Sequence, residues 1–244
     1  MKEQNDRYFQ FFKVDDNLTE LYIYGDIRKP SLIERWLEIN DDTRVDAYSF
    51  KDALNEVNTP NLLVRINSMG GSVSESLAIY SLLSDFKGHL ITQVDGFACS
   101  AASVIFMAGQ ERIITENGLL MIHNAWIDDA CGDSNELRKV ADDLESVTKP
   151  SINIYVNKTG LSEEEVKSMM DKETWMDYKS AFEKGFATSI QKNNTIQQSI
   201  KDINSYLRNL VIKNQELTAK LEKFGKENNN PKNKGDSWES FFNL

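Results

Sequence analysis

The stretch from residue 61 to 94 constrains this chain most. Asn61–Ile66 is a nearly continuous apolar run, as expected of a strand covered on both faces. It passes through a turn, Asn67–Ser72, with Gly70 and Gly71 inside it. A helical pattern follows over Val73–Phe86, with Val73, Leu77, Tyr80 and Leu82 or Leu83 on the expected buried side. A second strand, Leu90–Val94, comes directly after it. Two strands joined through a helix run parallel, with the helix packed across them, so the chain is of the α/β class. The remaining pattern agrees. Leu21–Ile27, Arg112–Thr115 and Leu119–Ile122 read as strands, and Ala98–Ala108 is an Ala-rich apolar segment entering a helix. Ser31 caps a helix over Leu32–Ile39, a second spans Ser49–Val57, a long polar one runs from Ser134 to Lys158, and another opens behind Ser162.

Composition limits the function classes. The 244 residues hold 28 Lys and Arg against 38 Asp and Glu, a formal charge of −10, which argues against a general nucleic-acid binder. The longest strongly apolar stretch, Phe97–Gly109, is too short to span a bilayer, and the first residues lack a signal-peptide pattern. Cys99 and Cys131 have no metal-type spacing. The expectation is a cytoplasmic protein without membrane or nucleic-acid partners. The charge is divided unevenly: residues 191–244 carry nine basic and six acidic side chains, a net +3, whereas residues 1–190 carry 19 and 32, a net −13. That places a boundary near residue 190.

Beyond the boundary, Ile196, Ile200, Ile203, Leu207, Leu210, Asn214, Leu217, Leu221 and Phe224 alternate in steps of four and three. The period is 3.5, which predicts a coiled coil with Asn214 as a register-setting polar residue at a core position. An Asn-, Lys- and Gly-rich linker follows, and the chain ends in an aromatic tag, Trp238–Leu244, suited to docking. The expected domains are an N-terminal segment (1–17), a catalytic body (18–190), a heptad helix (191–225), and a linker with its tag (226–244).

Chemistry points to few residues. Of two histidines, His89 reads as a surface residue, while His123 ends the run Leu119–Ile122, where a buried strand emerges. That position suits a base as well as a core histidine. Ser100 sits among small residues between a strand and an apolar helix, where free amides and the helix dipole favour a developing oxyanion. A serine nucleophile needs a base and oxyanion donors, and the Gly70–Gly71 turn can aim N–H groups into a cleft. The same turn is also compatible with an ordinary strand-to-helix joint. It is not a full phosphate loop, since no Gly-Lys-Ser/Thr follows. Ser103, one helical turn on, is expected to be less exposed, and Cys99 to be core.

Taken in order, Ile66–Val73, Leu77–Tyr80, Gly96–Ser100 with Ala108–Gly109, Met121–His123, Glu173–Met176 and Ala181–Gly185 resemble the ClpP family of serine peptidases over residues 18–190. The resemblance implies a ClpP/crotonase-like fold of repeated β-β-α units, here with a C-terminal coiled-coil extension. It implies Ser100 as nucleophile, His123 as general base, and the amides of Gly71 and Ala101 as oxyanion hole. Glu173 falls where the family usually has Asp, with Asp171 as the alternative acid and Asp177 nearby. An extended substrate strand would lie against Gly70 and the segment Asn124, Ala125 and Trp126. No metal or cofactor is implied. A protein substrate and a homo-oligomeric ring are, with an ATPase as a possible further partner. Met69 and Asn124–Ala125 depart from the housekeeping enzyme, and the Ile23–Asp26 and Glu173–Trp175 variants with the C-terminal extension look more like the ClpP-related proteases of phage and prophage head assembly, which process capsid or scaffold proteins. The competing expectations are a housekeeping proteolytic subunit working with an ATPase, a crotonase-type acyl-thioester enzyme, and a non-catalytic ring-forming scaffold.

Overall fold

A computed structural model describes residues 11–37 and 44–192. The heptad segment 196–224, the linker and the aromatic tag lie outside the described residues. In chain order the elements are β1 (Phe11–Lys13), β2 (Leu18–Ile23), β3 (Asp26–Ile27), α1 (Leu32–Trp36), β4 (Arg44–Val45), α2 (Ala47–Leu54), β5 (Asn61–Ser68), α3 (Val73–Ser84), β6 (His89–Cys99), α4 (Ala101–Phe106), β7 (Glu111–Thr115), β8 (Leu119–Ile122), α5 (Ser134–Thr159), α6 (Glu163–Asp171), β9 (Thr174–Asp177), α7 (Tyr178–Glu183) and β10 (Ser189–Gln191). None of the described helices is long and apolar enough to cross a membrane.

The main eight-stranded sheet runs β1-β2-β5-β6-β7-β10, with β8 also on β6 and β9 on β8; its pairs are parallel except β1 with β2 and β8 with β9, which are antiparallel. Among the described residues, sheet pairing includes Phe11–Lys13, which pair with Thr19–Leu21. β6 is the pivot. Its first half, Ile91–Val94, pairs with β7, and its second half, Phe97–Cys99, pairs with β8. The expected break at Asp95–Gly96 is not a chain end but a change of partner within one strand. β5 shifts register against it between Ile66 and Ser68, where Asn67 Oδ1 accepts from Phe97 N–H at 3.1 Å and fills the gap in the ladder. The expected strand Leu21–Ile27 is likewise split: β3 leaves β2 to pair with β4, and Ile27 bridges Gly71. The result is a recurring unit of two strand segments followed by a helix, seen in β2-β3-α1, in β5-α3 and β6-α4 with their divided strands, and in β7-β8-α5.

The core gathers Leu21, Ile23, Leu62, Val64, Ile66, Val94, Ile105 and Phe106, all fully buried. β5 alternates buried and half-buried positions, so the expectation of burial on both faces is corrected. Its second face carries Arg65, which clamps Asp95 with hydrogen bonds of 2.7 and 2.9 Å and lies over the Tyr22 ring. α3 shows a similar shift. Ser76, Ile79 and Leu83 form the fully buried line, with Leu77, Tyr80 and Leu82 packed beside it. That helix is apolar on most sides, so its pattern does not select one face.

Two buried charges tie these layers together. Glu75 accepts from the Ala47 N–H at 2.9 Å and meets Lys29 Nζ at 3.3 Å, holding the start of α2 against α3. Arg112 donates to the carbonyls of Gly109, Lys158, Gly185 and Phe186, joining the ends of α4, α5 and α7. A buried guanidinium is tolerated only when its donors are satisfied, as they are here.

Candidate active site

Ser100 is the single residue between β6 and α4. The ladder partner of β6 ends at Met121, whose carbonyl takes the Ser100 N–H at 2.8 Å, and the helix starts at the next residue. Turning the chain in one step puts Ser100 at φ +53°, ψ −123°, a strained conformation for a non-glycine residue. The strain lifts its side chain out of the strand toward His123. Ser100 Oγ and His123 Nε2 lie 2.7 Å apart, and both residues are half-buried. Two candidate residues separated by 23 positions thus make the contact that a nucleophile–base pair requires.

The glycine turn lies against this elbow. At Gly70, φ +106°, an added Cβ would sit 2.6 Å from the Cys99 carbonyl oxygen and 2.9 Å from Ser100 Cβ. Its N–H is taken by Ser68 Oγ and its carbonyl by the Ile27 N–H. Gly70 therefore packs beneath Ser100 and is not among the residues lining the cleft. Gly71, φ +141°, is bridged to Ile27 through the Gly70 carbonyl and the Ser72 N–H, so the bridge leaves its own N–H free to face the cleft. The Ala101 N–H, at the first position of α4, is one of the helix-terminal donors without an intrahelical acceptor.

The cleft encloses about 950 Å³ and is lined by Gly71, Ser100, Ala101, His123 and Glu173 together with Asn124, Ala125 and Trp126. Trp126 is exposed, and the Ala125 N–H is tied to Thr148 Oγ1 at 3.1 Å. Asn124 Nδ2 donates to Asp171 at 2.8 Å, so Asp171 is occupied by Asn124 and does not line the cleft. Burial pushes the His123 pKa below its usual value, and the Glu173 charge pulls it partly back. Glu173 stands at φ +47°, exposed at the cleft wall. Asp177 instead caps α7. Among the described residues no side chain hydrogen-bonds His123 Nδ1, so Glu173 acts on the histidine through its charge without holding it.

The other serine and cysteine fall where the sequence put them. Cys99 is fully buried, and that burial pushes its thiol up to about 11, which rules out a ready thiolate. Ser103 is fully buried. His89 is exposed and bound to Gln110, away from the cleft. Sequence reasoning left out Thr148, Ser151 and Tyr155, which α5 brings to the cleft floor; their spacing of three and four was legible but pointed only to a helix face.

A paired serine and histidine beside free backbone donors is the arrangement of a serine hydrolase, and residues 23–194 match the model of the Clp protease family. The chain belongs to the Clp protease family. It is a serine peptidase of the ClpP type. The ATP-dependent Clp protease proteolytic subunit of Ligilactobacillus salivarius is 30% identical over 176 residues, covering 70% of this chain and 88% of the relative. That of Lactococcus lactis subsp. cremoris is 29% identical over 143 residues, 57% of this chain and 72% of the relative. A ClpP1 variant from Listeria monocytogenes, 21% identical, superposes with a TM-score of 0.57 over 72% of this chain and 92% of its own, which supports the fold.

Proposed function

We propose that the chain cleaves peptide bonds with Ser100 as nucleophile, His123 as general base and Glu173 as the acid that supports the imidazolium. The 2.7 Å Ser100–His123 contact carries this reading. His123 Nε2 takes the Ser100 proton as Oγ attacks the scissile carbonyl. The oxyanion is received by the N–H groups of Gly71 and Ala101, and His123 then protonates the leaving amine. Water reverses the sequence on the acyl-enzyme. A crotonase-type reaction would give the Ser100–His123 contact no role, and is disfavoured for that reason.

The pH dependence follows from the histidine. His123 works only when neutral, and burial lowers its pKa, so kcat/KM should rise with pH through an inflection below the usual value of about 6.5. Glu173→Gln removes the charge that raises this pKa. The inflection should move to still lower pH, while the plateau rate falls roughly 10–100-fold because the imidazolium loses its counter-charge. A pH profile of both enzymes checks this. If Asp171→Asn lowers the plateau and Glu173→Gln does not, Asp171 is the acid.

We propose further that the substrate is a capsid or scaffold protein of phage head assembly, cut in the host cytoplasm or within the procapsid by a homo-oligomeric ring. The Ile23–Asp26 and Glu173–Trp175 variants support it, as does the extension past residue 194, with its heptads over 196–224 and its aromatic tag, while Met69 and Asn124–Ala125 depart from the housekeeping pattern. In this reading residues 191–225 are an assembly helix and 226–244 a tethered docking tag. The names of the bacterial relatives favour a second reading, a proteolytic subunit working with an ATPase. Incubating the full-length chain with a co-encoded capsid protein, without ATPase or ATP, should give a few discrete fragments by mass spectrometry. Cleavage only when an ATPase and ATP are supplied would favour the second reading. A scaffold without catalysis would produce neither.

A further inference from the structure

Beneath the nucleophile lies a short chain of hydroxyls that the proposed mechanism does not use. Ser103 Oγ donates to the Ser100 carbonyl at 2.6 Å, alongside the Ser103 N–H at 2.9 Å. Ser103 Oγ also lies 2.7 Å from Tyr155 Oη. A serine hydroxyl carries one proton. Since Ser103 gives its proton to Ser100, Tyr155 must donate to Ser103, and the direction of the chain is set: Tyr155 O–H to Ser103 O–H to the Ser100 carbonyl. Ser103 is fully buried and Tyr155 nearly so, its ring packed on Phe186 with centroids 5.6 Å apart. Burial pushes the Tyr155 phenol well above its usual pKa, so it stays protonated as a donor.

We propose that Tyr155 is a positioning residue, acting through Ser103 to hold the strained Ser100 turn in its reactive geometry. Ser100 adopts φ +53° with no side-chain cap of its own. Its carbonyl is the one backbone group that can be gripped from below, because its N–H is committed to β8. The grip comes from α5, the helix that also brings Thr148 to the Ala125 N–H and Ser151 to the cleft floor. A shift of α5 would therefore reach the nucleophile through one hydroxyl pair. The inference rests on Ser100 being the nucleophile.

The test is a double-mutant cycle on the full-length enzyme, using Tyr155→Phe, Ser103→Ala and the pair. Each variant is assayed for kcat, KM, Tm and the rate at which a fluorophosphonate labels Ser100. Tyr155→Phe keeps the ring and removes only the donor. It should lower kcat and the labelling rate together by about tenfold, with KM changed less than about twofold, as misplacement of a reacting group does. Ser103→Ala should slow both equally and also lower Tm, because it leaves a buried phenol without a partner. Adding Tyr155→Phe to it removes that orphan, so the double variant should regain Tm but not rate. Rate that recovers with Tm, an unchanged kcat in Tyr155→Phe, or a raised KM with kcat kept would each overturn the proposal. If the wild-type enzyme itself is not labelled on Ser100, the peptidase reading falls and this one with it. Labelled wild type with unaffected variants removes this one alone.

Discussion

Replacing Ser100 with alanine should abolish cleavage and leave the fold in place. Loss of a serine nucleophile costs roughly 10⁶-fold in kcat, and what remains comes from the oxyanion donors and substrate binding. The proposed donors are backbone groups of Gly71 and Ala101, which the substitution does not touch. The strain at Ser100 is in its φ angle, and the hydrogen bonds that hold the turn run through its N–H and carbonyl. Removing Oγ breaks only the contact with His123, a half-buried group that water can reach, so stability should change by no more than about 1 kcal/mol. Turnover of a peptide substrate and urea unfolding measure the two effects. Retained cleavage in Ser100→Ala would sink the peptidase mechanism.

The second large effect concerns Gly70, which no substrate needs to touch. Gly70→Ala places a methyl group 2.6 Å from the Cys99 carbonyl, 2.9 Å from Ser100 Cβ and 3.1 Å from the Ala101 nitrogen. These are backbone atoms and a Cβ, so none can swing aside. At φ +106° the alanine is strained even without the collision. The expected cost is about 2–4 kcal/mol in unfolding free energy, large for one methyl but less than most domains can spare. The atoms pushed include those of Ser100 and Ala101, the proposed nucleophile and oxyanion donor, so kcat/KM should also fall by about 10²-fold or more. Gly160→Ala is the control: φ is +78°, but nothing lies within 4 Å of an added Cβ. It should lose about 1 kcal/mol and no activity. If Gly70→Ala were as mild as Gly160→Ala, the glycine turn would not be packed against the elbow.

The division of the chain's charge, −13 before residue 191 and +3 after it, has a chemical counterpart. Every residue of the candidate site precedes that point.

The α/β class, the strand–helix–strand unit over residues 61–94, and the small residues around Ser100 were legible in the sequence. Each of these depends on local rules: apolar period, capping side chains, and the need of glycine where φ is positive. The pairing of Ser100 with His123 was implied only by resemblance to the ClpP family, and their 2.7 Å contact is tertiary. What the sequence left open depends on neighbours distant along the chain. That β6 runs unbroken through Asp95–Gly96 follows from its two partners, β7 and β8. The buried face of α3 follows from which elements pack on it, since its apolar residues surround the helix. Asp171 and Glu173 are two residues apart and chemically alike. Only the fold separates them, by giving Asp171 to Asn124 and leaving Glu173 at the cleft wall within reach of the His123 charge. Likewise Ser103 and Tyr155, 52 residues apart, carry no motif; they meet because α5 closes over α4. Sequence alone determined which groups could react, because that is covalent chemistry. Tertiary structure decided that Glu173 lines the cleft while Asp171 binds Asn124, and that Ser103 meets Tyr155, because hydrogen bonds and Coulomb forces act across space.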